Sequence, residues 1–277
     1  MRVRLIFALT LSMAVLVMLW GASASQAAPG ALRILVDENN PDPGLGMEIA
    51  AKPGVAVVDS FDSSGATPSQ DFLASYDLVV NTGDTSYDAP ALYGDRLATY
   101  IDAGGALIQF AYDNWNQPGA HPTGRFESGG YPPFIPGNND NLSVSLGTIL
   151  VPGSPLLAGV PSFTTIDNTT DALAPGATLL AKWSDDRNAI ATKGQVVSVT
   201  ADPGSESSIF DPLSAAAQLA VNAGNVLGKK PPTPNTGPTP NTGQRAAALK
   251  KCKKKNKKSH NKKKFKKCKK KANLLPV

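Results

Sequence analysis

Leu97-Ala98-Thr99-Tyr100-Ile101-Asp102-Ala103-Gly104-Gly105-Ala106-Leu107-Ile108 is the stretch that decides how this chain folds. Its first half continues a helical pattern over residues 89–103, with Leu92, Leu97, Tyr100 and Ile101 near one face. Gly104 and Gly105 end that helix, because glycine enters the left-handed conformation of a helix terminus without steric cost. Ala106-Leu107-Ile108-Gln109-Phe110 follows at once. The run is too short for a helix and is continuously apolar at its start, the pattern of a strand covered on both faces.

The same alternation extends outward. Residues 31–36 (ALRILV), 55–58 (VAVV) and 76–80 (YDLVV) read as strands, with a short helical segment at 68–75 between the second and third. Further β-type runs occupy 177–183, 189–192 and 195–200, and the alanine-rich stretch 212–227, closed by Gly228, reads as a final helix. Residues 115–141, rich in glycine, proline and asparagine, read as one long loop. Strands alternating with helices predict an α/β domain with a mainly parallel sheet and helices on both faces.

Two of these stretches resemble a known group. Leu97 to Ile108, a helix running through a double glycine into an apolar strand, is similar to a turn of the class I glutamine amidotransferase-like superfamily, particularly its trehalose-utilisation (ThuA-like) branch. Tyr76-Asp77-Leu78-Val79-Val80-Asn81-Thr82-Gly83-Asp84 is similar to the preceding strand and turn of the same group. The resemblance implies a flavodoxin-like sheet over roughly residues 31–228. It also implies a cysteine after the strand that begins at Ala106, and in the ThuA-like branch a histidine near the end of that strand. Here Tyr112-Asp113-Asn114-Trp115 stands in that neighbourhood, Ala111 holds the histidine's place, and no cysteine occurs before Cys252. Inherited catalysis is therefore not expected.

The chain ends carry different instructions. Arg2 and Arg4, an apolar run from Leu5 to Trp20 and the small residues that follow have the order of a cleaved signal peptide over residues 1–28. Residues 29–228 form the α/β domain, with seven basic residues against all 22 acids of the chain, a net charge of −15. Residues 229–243 are a spacer containing PTPNTG twice in tandem, and 244–277 are a lysine-rich tail with no acid, too charged to bury a core and expected to be disordered. From Lys229 onward there are 18 basic residues. Such segregation predicts two regions with separate tasks, the tail suited to an anionic cell-wall or envelope polymer. With one arginine and one aromatic, Phe265, in the tail, specific nucleic-acid readout is not encoded. Cys252 and Cys268, among lysines and outside the cell, are candidates for a disulfide.

In open α/β sheets, ligands gather beyond the carboxyl ends of the strands. Those ends carry Asp37 and Glu38, then Asp84, then Asp113, Asn114 and Trp115, with His121, Arg125 and Glu127 just downstream. Converging carboxylates could bind a cation or sugar hydroxyls, with Trp115 as a stacking face and Arg125 as a clamp. The same residue types also cap helices and make turns. Asp84, Asp113, His121 and Glu127 are the candidates for acid–base work, and no organic cofactor is called for. The expectation is an exported, non-catalytic binding or scaffold domain, associated with the envelope and without a membrane span in the mature chain. The alternative is an exported carbohydrate-active hydrolase of ThuA-like type using the strand-end carboxylates.

Overall fold

In the computed structural model, which describes residues 31–38, 43–83, 85–140, 142–203 and 212–228, the apolar runs assemble into one nine-stranded sheet. The elements in chain order are β1 (Leu32–Glu38), α1 (Pro43–Ala50), β2 (Val55–Phe61), α2 (Gln70–Leu73), β3 (Leu78–Thr82), α3 (Pro90–Asp102) and β4 (Ala106–Gln109). After a 3-10 turn at Ala111–Asn114 come α4 (Gly124–Ser128), β5 (Phe134–Asp140), β6 (Val144–Ile149), β7 (Thr164–Thr165) and β8 (Asn168–Leu173). The chain continues through β9 (Thr178–Trp183), β10 (Asn188–Lys193), β11 (Val196–Val199) and α5 (Pro212–Leu227).

The strand order is β2-β1-β3-β4-β11-β10-β9-β6-β7. The first five are mutually parallel, in the 2-1-3-4-5 order of a flavodoxin-like sheet, and the rest add an antiparallel extension. Side-chain alternation divides the core. Ile34, Val36, Leu78, Val80, Ala106 and Ile108 pack toward α1 and α5, while Leu35, Val79 and Leu107 pack toward α2, α3 and α4. The fold is thus a flavodoxin-like α/β sheet with helices on both faces.

The double glycine has a separate task at each position. Gly104 takes φ +89°, and its N–H and that of Gly105 donate to the carbonyls of Ile101 and Tyr100 at 2.8 and 3.0 Å, closing α3 with a Schellman motif. Gly105 lies directly beneath the buried Tyr100 ring, where any side chain would collide. Along α3 the inward stripe is Tyr93, Leu97, Tyr100 and Ile101, whereas Leu92 points to solvent, 45% exposed. The i, i+4, i+7, i+8 spacing starts at Tyr93, so Leu92 falls one residue off the buried face.

Residues 115–141 are not the single loop that their composition predicts. They contain α4 and β5, and β5 pairs with β8 in a separate two-stranded ribbon. The sequence Phe-Ile-Pro-Gly-Asn-Asn-Asp has no strand alternation of its own, and the pairing with β8 fixes it. Gly137 sits so close to the Thr170 carbonyl that no larger residue fits. No helix among the described residues is long and apolar enough to cross a membrane. The proposed signal peptide, the spacer, the tail with Cys252 and Cys268, and Asp84 lie outside the described residues.

Candidate functional site

At the carboxyl ends of the parallel strands, the sheet turns polar at one register. Asp37 of β1 pairs with Asn81 of β3, Asn81 with Gln109 of β4, and Gln109 with Ser198 of β11. Cross-strand partners project from the same face, here the α3 face, so four polar side chains form a continuous row. None is more than 1% exposed. Ser198 Oγ donates to Gln109 Oε1 at 3.3 Å. The row crosses the β1/β3 boundary, the topological switch point where this class of sheet opens its ligand crevice.

Two tyrosines and a second acid close over that row. Tyr93, on the inward face of α3, donates from its hydroxyl to Asn81 Oδ1 at 2.8 Å and also bonds Asp37. Ser63 Oγ donates to Asp37 Oδ2 at 2.6 Å. Tyr87 donates to Asp113 Oδ1, and its ring lies 5.2 Å from that of Tyr93, centroid to centroid. Asp113 enters from the 3-10 turn after β4 and reaches back over Gly83, where a Cβ would stand 2.7 Å from Asp113 Oδ1. This explains the glycine in Asn81-Thr82-Gly83: the carboxyl occupies the space of its missing side chain.

Burial controls the protonation of this cluster. Desolvation pushes Asp37 up to about 6, against the opposing bonds from Ser63 and Tyr93. Asp113 is driven well above the usual carboxylate range, first by burial, with the bond from Tyr87 opposing and the charge of Asp37 adding to the rise. Both phenols are pushed up by burial as well. Removing the Tyr93 hydroxyl should therefore be felt: Tyr93→Phe leaves Asn81 Oδ1 without its donor in the interior, and urea unfolding should read a loss of about 1–3 kcal/mol. An unchanged midpoint would mean that the hydroxyl is not holding the row.

The structure brings together only part of the residue set picked out from the sequence. Asp37 and Asp113 converge as described. Glu38 is 2% exposed but follows Val36 in the alternation of β1 and so lies on the opposite, α1/α5 face. Asn114 is buried in the 3-10 turn and makes a long local bond, Nδ2 to the Phe110 carbonyl at 3.5 Å. Trp115 is half-buried at the rim beside Tyr112, with ring centroids 5.9 Å apart, and it bridges to Gly137 of β5. His121 is anchored through Nδ1 to the Trp115 carbonyl at 2.8 Å, and its Nε2 is 4.0 Å from Glu127 Oε1. Arg125 is committed elsewhere. Its guanidinium reaches Asp102 at 2.6 Å, Tyr131 at 3.0 Å and Thr99 at 3.0 Å on the outer side of α3.

Sequence reasoning missed Ser63, Asn81, Tyr87, Tyr93, Gln109 and Ser198. A signal for three of them was present: Asn81, Gln109 and Ser198 each interrupt an apolar strand near its end. Tyr93 gave none, since an aromatic on a helical stripe reads as core, and Tyr87 stands before that helix with no pattern around it. Away from the strand ends, Thr170, Asp171, Ala172, Asp186, Arg187 and Asn188 line an open polar groove of about 350 Å³. Its one cation, Arg187, is held by Asp140 at 2.8 Å and Asp185 at 2.6 Å. Asp171, pushed up to about 7 by burial, accepts from Gly137 N–H and Thr169 Oγ1 and ties the ribbon together. Among the described residues no three His, Cys, Asp or Glu side chains are grouped as a metal site.

No family profile matches the sequence, and no curated protein matches it. Among solved structures, the chain is similar to two cytoplasmic proteins from Salmonella typhimurium, each at 14% identity and a TM-score of 0.56, over 72% of this chain and 100% of theirs. A ThuA-like protein from Bacteroides uniformis also matches, at 13% identity and a TM-score of 0.49, over 73% of this chain and 94% of that one. At such identities the likeness is one of fold.

Proposed function

We propose that the chain is an exported binding or scaffold module, without chemistry of its own, held to an anionic cell-envelope polymer by its lysine-rich C-terminal segment. The observation that carries this reading is the charge segregation: −15 over residues 29–228 against 18 basic residues and no acid from Lys229 onward. Fifteen lysines within residues 250–271 can neutralise a run of phosphates or carboxylates and release their counterions. The twelve-residue PTPNTG repeat supplies a reach of roughly 37 Å if extended, several times the ~8 Å screening length at physiological salt.

The absence of a cysteine from residues 29–228 supports a non-catalytic domain in an amidotransferase-like fold. So does the burial of Asp37 and Asp113, because a carboxyl at 0–2% exposure, bonded to Ser63, Tyr87 or Tyr93, is poorly placed to meet a substrate from solvent. A carbohydrate-active hydrolase is the second reading. It is favoured by the rim, where the rings of Tyr112 and Trp115 pack together and the Trp115 carbonyl holds His121, with Glu127 4.0 Å from that imidazole.

The test compares the full chain with one ending at Gly243 for retention on purified cell-wall material. Only the full chain should be retained at low salt, and salt should elute it steeply, because each neutralised phosphate contributes to the salt slope. Equal retention of both forms, or retention indifferent to salt, would assign the anchoring to the domain or to a covalent bond. Release of reducing sugar by the truncated form, abolished in Glu127→Gln, would establish the hydrolase instead.

A further inference from the structure

We propose that Asp37 and Asp113 form a buried pair that shares its negative charge with a proton, and that this pair latches the 3-10 turn Ala111–Asn114, and with it the Trp115 rim, to the ends of β1 and β3 in a pH-dependent way. The inference is independent of how the tail is used. It begins with geometry. Asp113 is the only acid of that turn, it is 2% exposed, and its side chain crosses from the end of β4 to Gly83 and Tyr87. Asp37 reaches the same interior from β1, at 0% exposure. Each acid has one oxygen bonded to a hydroxyl and a second oxygen, Oδ1 of Asp37 and Oδ2 of Asp113, with no protein hydrogen-bond partner among the described residues. Asn81 Nδ2, between them on β3, is likewise unpartnered.

The groups that face the pair from each packed element are neutral or acidic. Ser63 and Asp62 follow β2, Asn81 and Gly83 N–H lie on β3 and its turn, Tyr87 precedes α3 and Tyr93 is on it. The nearby cations are engaged elsewhere: Arg96 donates to the Thr67 and Pro68 carbonyls, and Arg125 pairs with Asp102. Two ionised carboxylates in this interior would have no countercharge among the described residues, and each would be left with an oxygen that no donor of those residues fills. One proton removes the repulsion and converts an unfilled acceptor into a donor. This is the logic of any carboxylate pair in a shared low-dielectric space, in which the second ionisation is displaced upward. When the second proton leaves, the least tethered member moves. Asp37 is fixed within a central strand, whereas Asp113 rides on a single 3-10 turn whose next residue, Trp115, contacts His121 and Gly137 at the rim. The directions of both acids agree with this order of events: burial raises each, and the charge of Asp37 adds to the rise of Asp113.

Sign follows from linkage. A carboxyl whose folded value is raised stabilises the fold fully below its unfolded value, and that contribution is lost as pH rises through the folded value. The closed latch is therefore the acidic form. The experiment uses the full chain and follows the carbon NMR resonance of Asp113 Cγ together with tryptophan emission, from about pH 5 to about pH 9. Asp113 should keep the signature of a protonated acid well above the range of a free carboxyl. Its ionisation and the emission change should share one midpoint, and Trp115→Phe should remove the emission change. Asp113→Asn, which mimics the protonated form, should give a flat profile. Tyr87→Phe deletes a bond that favours ionisation, so its midpoint should move to higher pH; this variant decides the matter if Asp113→Asn does not fold. An Asp113 already ionised at the acidic end, an ionisation that leaves Trp115 unmoved, or a Tyr87→Phe midpoint at or below that of the unmodified chain would overturn the latch.

Discussion

Gly105→Ala should be among the most damaging single-atom changes in the domain, lowering stability by about 3 kcal/mol, the upper range for forcing volume into a packed core. The added methyl would lie inside the Tyr100 ring, and the ring has nowhere to go. It is 1% exposed, packed with Leu97, Ile101 and Leu107 under the sheet, and its hydroxyl is 3.3 Å from the Tyr76 carbonyl. Gly104→Ala is the control. Its φ of +89° makes alanine strained, at a conformational cost of roughly 1–2 kcal/mol. Urea denaturation of the two variants should rank them in that order. The reverse order would mean that the double glycine is kept for helix termination and not for the approach of α3 to β4.

Trp183→Ala is expected to cost about 3–5 kcal/mol, as for other large aromatics truncated in a core. Trp183 is 1% exposed, packs edge-on against Phe163 with centroids 5.5 Å apart, and donates from Nε1 to Thr200 Oγ1 at 2.7 Å. Thr200 Oγ1 in turn donates to the Asn188 carbonyl at 2.7 Å, so the indole supports β9, β10 and the end of β11 at once. Those strands continue the sheet that carries the polar row, through the β4–β11 pair. One cooperative transition, shifted as a whole, is the expected result by circular dichroism and tyrosine fluorescence together. A loss below about 1 kcal/mol, or two separated transitions, would show that the antiparallel extension is an independent unit.

Much of the architecture was legible because its signals are local. Helix, double glycine and strand are consecutive in the chain, and the alternation of Ile34, Leu35 and Val36 between two apolar faces needs only a pattern of period two. Leu92 shows the limit of such reading. Being apolar, it counts toward a stripe, and only the packing of α3 shows that Tyr93 holds the inward position. The ribbon of β5 and β8 was beyond the sequence for a related reason: a segment reading Phe-Ile-Pro-Gly-Asn-Asn-Asp becomes a strand through a partner distant in the chain, Asp140 against Asn168 at the near end and Phe134 against Leu173 at the far one.

The candidate site divides along the same line. The sequence by itself determined that acids and amides stand at the ends of parallel strands, that no thiol is available before Cys252, and that acidic and basic residues occupy separate regions of the chain. These are matters of composition and order, which do not depend on contact. Only the tertiary structure decided that Asp37 and Asp113 enter one buried cluster with Tyr87 and Tyr93 while Glu38 faces away and Arg125 is spent on Asp102, because cross-strand register and helix rotation set direction. It also decided that the two acids are buried beneath Tyr87 and Tyr93. Burial changes what a carboxyl is: in water it is an anion ready to bind or catalyse, and in this interior, with no cation opposite among the described residues, the protonated form is favoured and the group becomes part of the frame.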